Sequence, residues 1–444
     1  MSPHLEQRDS MEQIVSLAKR RGFIFPGSEI YGGLANTWDY GPLGAQLKKN
    51  VKDHWWKTFV EQRADMVGID GAILMNPRVW EASGHVATFH DPLVECKVCH
   101  KRFRADHLLE ASGLEPKHLR EKPADATDVT CPSCGGALTN PREFNLMFKT
   151  FVGPAEDSKD AVYLRPETAQ AIFVNFNNVL DTSRKRLPFG VAQIGKAFRN
   201  EITPGNFTFR TLEFEQMEVE YFVKPEAWEE AFESWAAFME AWGKSVGLDM
   251  VKLHRVDIPS DDLAHYSKRT VDFEFEFPFG QSELWGLANR TDFDLTNHEK
   301  HSGQSLVYTD PSDQSVKLTP HVIEPSLGVD RTVLAVLLSA YAQEFVAKDG
   351  RLPILPLSKK AELVAPARAL YEDLLKTMRV DYDETQAIGK RYRRQDEIGT
   401  PFCVTLDFES LNDKAVTVRD RDSMKQERIN IASVGAYLQE RISM

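Results

Sequence analysis

The sequence predicts an α+β chain: an antiparallel-sheet domain carrying a cysteine-bounded insertion, followed by a small α/β domain at the C-terminal end. Three observations carry this. LEFEQMEVEYF (212–222) and VDFEFEF (271–277) alternate with period two, the mark of antiparallel strands with one buried and one wet face. Two CxxC pairs, Cys96/Cys99 and Cys131/Cys134, bound a polar stretch that interrupts the surrounding pattern. Beyond Gly350, Pro353 and Pro356 the pattern changes to helices alternating with short apolar strands.

Length and composition agree. One core rarely grows to 444 residues. Hydrophobic residues are 42% and charged residues 27%, the balance of a packed chain rather than a disordered one. A formal charge of -12 argues against an indiscriminate nucleic-acid binder. The charge is uneven, since residues 351–444 sum to +1 and leave -13 on the first 350. The N-terminal stretch has no apolar signal region and no run approaches a membrane span. Five cysteines are too few for a disulfide framework, and four in two tight pairs read as a metal site in a reducing compartment. A cytoplasmic location is expected.

The elements follow in order. A first helix lies near 11–20, then a Gly- and aromatic-rich turn region, GSEIYGGLANTWDYGPLG. Pro42 opens a helix reaching about residue 60, with Val51, Trp55 and Phe59 on one stripe. Residues 92–140 contain the insertion, and 161–175 read as a short strand and a helix entry. In 212–222, Phe214, Gln216, Glu218 and Glu220 point one way while Met217, Val219 and Tyr221 point the other. After Pro225 comes a helix whose Trp228, Phe232, Trp235, Phe238, Met239 and Trp242 recur at core-packing spacing. A buried helix spans 330–346. In the tail, RLPILPL reads as a strand, 358–378 as a helix, 380–397 as a strand and helix, and PFCVTLDF and KAVTVRDRD as strands. The boundary falls at 347–355, dividing the chain into 1–349 and 350–444.

Three familiar motifs fail. GVAQIGKA (190–197) has Ala197 where a P-loop needs a hydroxyl for Mg²⁺. NHEKH (297–301) spaces its histidines three apart, not the four a zinc pair needs on one helix face. No GxGxxG follows a strand, so a dinucleotide fold has no support.

Three clusters carry chemistry. In FRNEITPGNFTFRTLEFEQMEVEYF (198–222), a turn at Pro204 and Gly205 would bring Arg199 near Arg210, above the strand face bearing Phe214, Gln216 and Glu218. Two guanidiniums facing an open sheet suit phosphate oxygens; the competing reading pairs them with surface carboxylates. In EPSLGVDR (324–331), Gly328 permits a tight turn, Asp330 can cap the next helix, and Arg331 heads so apolar a helix that it needs an anionic partner. LRPETAQ (164–170) and SELWGLANRTDFDL (282–295) add Glu167 and Glu283. With Glu218 and Glu324 these form an acidic constellation suited to an ammonium group, because like charges so close are costly without a cation.

These segments resemble the motifs of class II aminoacyl-tRNA synthetases, and among them the bacterial, dimeric, single-chain glycyl type. FRNE…FRTLEFEQME is similar to class motif 2 and EPSLGVDR to motif 3. YGPLGAQLKKNVKDHWW, with the strand up to Asn76-Pro77, resembles motif 1, the dimer-forming element. No HIGH-like or KMSKS-like sequence is present, which sets the chain apart from class I.

The resemblance implies glycine activation by ATP with Mg²⁺, transfer to tRNA(Gly), and a homodimer. It implies three catalytic arginines: Arg199 on the α-phosphate and the activated carboxylate, Arg210 against the phosphates, and Arg331 on the γ-phosphate. Glu201 would meet the adenine amino group and Phe214 would stack on the purine. The implied ATP set is completed by Asn200, Phe209, Thr211, Leu212, Glu213, Glu283, Leu284, Gly328, Val329 and Asp330, with Glu283 and Leu284 on the magnesium side. Around glycine it implies Glu167, Glu218, Glu324 and Ser326 near the ammonium and α-carbon, and Arg290 on the carboxylate. Phe214, Glu215, Gln216, Met217, Pro325, Leu327 and Gly328 complete that set, and Arg104 of the insertion is a further substrate contact.

Cys96, Cys99, Cys131 and Cys134 have zinc-ribbon spacing, consistent with structural Zn²⁺ and, in competition, with a knuckle that has lost its metal. His85, His90, His100 and His107 suit packing or acceptor-stem roles better than ligation. Residues 350–444 resemble the anticodon-binding domain shared by glycyl, histidyl, prolyl and threonyl members. Lys390, Arg391, Arg393 and Arg394 form a basic run there, or simply a solvated helix face. Two alternatives stay open on sequence: a class II synthetase for proline, threonine or histidine, and a non-catalytic synthetase-like accessory subunit.

Overall fold

The computed structural model describes residues 3–113, 129–154, 160–202, 205–341, 356–378, 380–398 and 400–442. They belong to two compact units, residues 1–342 and 343–444. The expected boundary residues Gly350 and Pro353, most of the expected strand RLPILPL, and the turn residue Pro204 lie outside the described residues.

The first unit is built on a seven-stranded sheet. Its strands are β1 (Met66–Gly68), β2 (Phe189–Phe198), β3 (Glu213–Val223), β4 (Leu253–Asp257), β5 (Arg269–Phe277), β6 (Gly280–Thr291) and β7 (His321–Gly328). The order is β4-β5-β6-β7-β3-β2-β1, antiparallel throughout except for the parallel pair β1–β2. Period-two alternation sorts the side chains between the faces. Met217 and Val219 of β3 and Val271, Phe273 and Phe275 of β5 are fully buried in one core. The opposite face carries Phe214, Gln216, Glu218 and Glu220 of β3. GVAQIGKA lies inside β2, an extended strand with no phosphate loop.

Helices α1 (Pro3–Arg21), α2 (Pro42–Trp56), α3 (Ala169–Val174), α4 (Trp228–Ser245), α5 (Phe293–Ser302) and α6 (Val329–Ala340) pack around this sheet. The expected stripe of α4 is buried at Phe232, Trp235, Met239 and Trp242, with Trp228 and Phe238 at its margin. Each such side chain contributes about 1.5–3 kcal/mol, far more than the few tenths separating helix propensities, so packing holds α4. Val51 and Trp55 of α2 and Phe59 just beyond it meet that stripe, with Phe59 4.9 Å from Phe238 and 5.8 Å from Trp235 between ring centroids. A second core of Phe173, Phe176, Phe189, Phe222 and Leu295 seals one end of the polar face, so that face is open at Phe214 and closed beyond Glu220. NHEKH sits in α5, where His298 is buried and hydrogen-bonded to Gln170 Oε1 at 2.7 Å.

The insertion is a three-stranded antiparallel sheet, Arg102–Arg104 and Arg142–Asn145 flanking His90–Glu95, with the helix Ala105–Ala111. The second unit has helices α7 (Ala361–Leu374), α8 (Ile388–Glu397) and α9 (Val434–Ile442) and an antiparallel sheet of β8 (Phe402–Thr405), β9 (Ala415–Asp420) and β10 (Gln426–Asn430). Leu363, Val416, Val418, Val434 and Leu438 form its core. The strand expected at the start of 380–397 does not form. Asp383 instead accepts bonds from its own neighbour Thr385, through N at 2.8 Å and Oγ1 at 2.7 Å, local chemistry that competes with a ladder. Cys403 is buried, and burial pushes its thiol up to about 12, leaving it inert at neutral pH. No helix among the described residues is long and apolar enough to cross a membrane.

Candidate active site

The polar face of the sheet becomes a cleft because a hairpin folds over its open end. The main chain closes from Arg199 N to Leu212 O (2.9 Å) and between Gly205 and Arg210 (3.0 and 3.2 Å). This brings Arg199 and Arg210 onto one cleft wall together with Glu201, Phe209, Thr211 and Phe214. Glu215, Gln216, Glu283, Leu284, Ser326, Gly328, Asp330 and Arg331 complete the lining, with Arg331 packed on Phe209. The cleft is open, and about 680 Å³ of space lies within it and its mouth, solvent included.

The arginines differ in how they are held. Arg331 donates through Nη1 to Glu283 Oε2 (2.9 Å) and to the Glu283 carbonyl (2.8 Å), and its guanidinium lies 4.4 Å from the Phe209 ring centroid. Glu283 supplies the anionic partner the sequence demands. Arg199 donates to the Pro166 carbonyl (3.1 Å) and lies over Phe89 and Phe214 at 5.4 and 5.3 Å. Neither Arg199 nor Arg210 makes an ion pair among the described residues, against the surface-pairing alternative. Arg331 first, and then Arg199 and Arg210, hold the Glu283 carboxyl below the ordinary carboxylate range.

Asp330 does something other than cap a helix. Gly328 stands at the N-cap, and the Asp330 carboxylate accepts from Tyr40 Oη (2.6 Å), Lys48 Nζ (2.7 Å) and the Glu215 main-chain N (2.7 Å). It ties α6 to α2 and β3 at the cleft lining. Asp272, opposite Gly286 on β5, faces the same surface as Glu283. Burial, then Glu283 and Glu274, push its carboxyl up to about 7, the mark of a carboxylate pair short of a cation.

Next to Gln216 and Ser326 lies a buried acidic cluster. Glu218 accepts from Thr168 Oγ1, from Ser326 Oγ at 2.8 Å and from Gln216 Nε2 at 3.3 Å. Burial pushes its carboxyl up, and Glu167 adds to this. Burial would raise Glu167 too, but His85 and Arg290 beside it reverse the effect and hold it well below the usual range. His85 Nε2 stands 3.4 Å from Glu167 Oε2, and its Nδ1 2.8 Å from Ser83 Oγ. Arg290 bonds Asp294 through Nε (2.8 Å) and Nη2 (3.0 Å), bonds Glu324 through Nη1 (2.7 Å), and stacks 4.0 Å from Tyr266.

Some expected residues stand behind the cleft instead of on its wall. Met217, Leu327 and Val329 are fully buried in the core, Pro325 is buried in β7, and Glu213 faces out toward Lys196. Asn200 and Leu212 serve the hairpin main chain, through Asn200 N to Leu146 O (2.7 Å) and the Leu212 carbonyl. Arg104 pairs with Asp91 (2.8 Å) and Asp106 (2.6 Å), and Glu201 acts on it electrostatically, so the insertion reaches the cleft rim. Sequence reasoning missed Thr168, His85 and Asp272. Only Asp272, on the wet phase of VDFEFEF, carried a usable signal.

In the insertion, the four sulfurs of Cys96, Cys99, Cys131 and Cys134 lie within 4.8 Å of one another. Val98 N and Cys99 N both donate to Cys96 Sγ at 3.4 Å, and Gly135 N closes on Cys131 O at 2.8 Å. His100 and Gly135 follow their CxxC pairs at φ +58 and +71, so both turns take the same left-handed step.

Comparison with known proteins fits this geometry. Residues 148–341 match the tRNA synthetase class II core domain (G, H, P, S and T), and residues 352–441 match an anticodon binding domain. The chain is 54% identical to the glycine--tRNA ligase of Alkaliphilus oremlandii, over 98% of both chains. It is 53% identical to that of Geobacillus thermodenitrificans, again over 98% of both, and to that of Bacillus anthracis over 98% of this chain and 99% of the relative. The chain belongs to the glycine--tRNA ligase family. The glycine--tRNA ligase fold is accordingly an antiparallel catalytic sheet with a cysteine-cluster insertion, followed by an α/β anticodon-binding region. The family model for the core covers five amino-acid types, and it is the full-length similarity that narrows them to glycine.

Proposed function

We infer that the chain is a glycine--tRNA ligase: it activates glycine with ATP to glycyl-adenylate, releasing pyrophosphate, and transfers glycine to the 3'-terminal adenosine of tRNA(Gly). One arrangement supports this above the others. Arg199 and Arg210, without carboxylate partners among the described residues, line a cleft whose Gln216 and Ser326 bond Glu218 of a buried acidic cluster. That polarity orders a substrate with phosphates outward and an ammonium inward.

Glycine's carboxylate must attack the α-phosphorus while both are anionic. Arg199 and Arg210 offset that repulsion at the reacting centre, and Arg331 meets the leaving pyrophosphate. Catalysis is positioning and charge stabilisation, and no protein nucleophile is needed. Phe214 offers a face to the purine, and Glu201 accepts from its amino group. Asp272 and Glu283 would hold Mg²⁺, which when bound neutralises phosphate charge. Thr168, Ser326 and Gln216 fix Glu218, so the ammonium meets a carboxylate already oriented. In the transfer step the ribose hydroxyl attacks the mixed anhydride, and the departing phosphate can accept its proton.

Glycine offers no side chain to grip. Arg290 is held by Asp294 and Glu324, so its charge supports the pocket's acids from behind. A site shaped for glycine can reject larger amino acids sterically, so the proposed reaction requires no editing domain.

Three finer readings go with this. The cysteine cluster suits structural Zn²⁺, since tetrahedral thiolates at ~2.3 Å stand roughly 3.8 Å apart, and Cys96–Cys134 and Cys99–Cys131 are 3.5 and 3.7 Å. Metal analysis should find about one zinc per chain, lost in C96S. A homodimer is supported by the exposed Ile30, Tyr31 and Leu34 beside the motif 1 segment, at 89, 87 and 63% exposure. The cysteine usage suits a cytoplasmic location.

Amino-acid-dependent pyrophosphate exchange tests the assignment. Glycine should drive exchange, and alanine, proline, threonine and histidine should not; faster exchange with any of these would overturn it.

A further inference from the structure

Strands β3 and β7 pair with Glu218 opposite Ser326 and Tyr221 opposite Ile323, a register that sets Glu220 against Glu324. Like charges directly across a ladder repel, and this pair is buried, at 0 and 7% exposure. Oxygens of Glu218, Glu220 and Glu324 lie within 4.8 Å of one another. The charged and titratable groups facing the pair are Glu218 on β3, Arg290 on β6, Asp294 on α5, Glu167 ahead of α3, and Tyr266 ahead of β5. Arg290 is the one cation among them.

Neither carboxyl oxygen of Glu220 has a hydrogen-bond partner. A buried carboxylate in that condition is far less stable than its protonated form. Burial first, then Glu324, raises the Glu220 carboxyl well above the ordinary range. Burial pushes Glu324 up to about 8, although Arg290 opposes it. A second unmet group lies outside the acids. Gln216 is 7% exposed and its Oε1 has no donor, while its Nε2 faces Glu218 Oε1 at 3.3 Å and Ser326 Oγ at 3.4 Å. An unmet acceptor beside Glu218, itself clustered with the acid pair, suits a cation rich in N–H donors.

We propose that the Glu220–Glu324 pair holds one proton in the free enzyme, and that the ammonium of glycine displaces it to solvent, coupling amino-acid capture to proton release. The proposal rests on the reading that Glu218, Glu324 and Ser326 hold the ammonium. One positive charge enters as one leaves, so the buried cluster never carries the full charge of its carboxylates, empty or filled. The carboxyl O–H bond breaks and its proton passes to water or buffer, while the ammonium stays intact; no other covalent bond changes. Glu220 is a positioning residue: it keeps the proton that keeps Glu324 in place until glycine arrives.

Calorimetric titration of the full chain with glycyl-sulfamoyl-adenosine, in phosphate and in Tris near pH ~7, reads the proton directly. Sulfamoyl-adenosine without the glycyl group is the reference. The glycyl compound should release up to about one more proton than the reference. The apparent KM for glycine should fall by up to about tenfold per pH unit as pH rises toward ~8 and then level. In E220Q the extra release should drop below about half and the KM profile should flatten. Tight binding with no extra release would overturn the proton exchange. Binding of the glycyl compound no tighter than the reference would instead overturn the ammonium reading. The wild-type comparison decides between these even if E220Q fails to fold.

Discussion

Arg331, in the first turn of α6, donates through one nitrogen to both the carboxylate and the main-chain carbonyl of Glu283 on β6, at 2.9 and 2.8 Å. A third bond, from Nε to the Phe209 carbonyl at 3.2 Å, fixes the plane of the guanidinium. On the proposed function the group would meet phosphate already in place, with no reorganisation when ATP binds. It also depends on geometry that a lysine does not have.

R331K should accordingly fail almost as badly as R331A. Removing a preorganised charge of this kind costs about 10²–10³ in kcat. Pyrophosphate exchange at saturating ATP and glycine is the measurement. R331K within a few-fold of wild type would show that only the charge matters, and the planar fork would drop out of the account.

How much of this was legible beforehand depends on distance along the chain. The phase of Phe214, Gln216, Glu218 and Glu220 is set by the two-residue repeat of a strand, so their common face could be read directly. The α4 stripe followed from helical spacing in the same way. Partners brought from afar left no such trace. Asp330 looked like a helix cap because Asp near a helix start usually is one, but Tyr40 and Lys48, 290 and 282 residues away, claim its carboxylate. Glu220 was read onto the Glu218 face, yet alternation cannot show that Thr168 and Ser326 satisfy one carboxylate while the other is left bare.

Asp272 offers a pH test with a definite sign. Its carboxyl stands at about 7 in the folded chain against an ordinary 3.8, so the folded state holds the extra proton between those values. Stability must fall as pH rises through that window. D272N removes the penalty: it should match wild type near pH ~4 and exceed it by about 1–2 kcal/mol above pH ~7, after allowance for solvent screening. Mg²⁺ should narrow the gap by stabilising wild type selectively, while D272N should need more Mg²⁺ for exchange. Thermal unfolding at both pH values, with and without Mg²⁺, checks this. An Mg²⁺ effect equal in the two proteins would remove Asp272 from the cation surface.

The basic run on α8 divides once the side chains are placed. Arg391 is 3% exposed and donates to the carbonyls of Pro356 (3.1 Å) and Asp383 (3.0 Å). Arg394 is tied to the Asp383 carboxylate and to the Thr385 carbonyl. Both arginines are spent on holding 383–385, the segment whose side-chain bonds displaced the expected strand. Lys390 is exposed, and Arg393, with its side chain 83% exposed, pairs among the described residues with Glu397 at 3.6 Å, a pair worth at most about 1 kcal/mol. These two charges are the ones available to a phosphate backbone. K390E/R393E should raise the aminoacylation KM for tRNA by about tenfold and reduce its salt dependence by about two phosphate contacts. It should leave pyrophosphate exchange and thermal unfolding unchanged, because neither residue supports the fold. R391A should do the reverse and lower the unfolding temperature of this unit, since it strips buried carbonyls of their donor. If K390E/R393E acylates tRNA with an unchanged KM and unchanged salt slope, the run is only a solvated helix face.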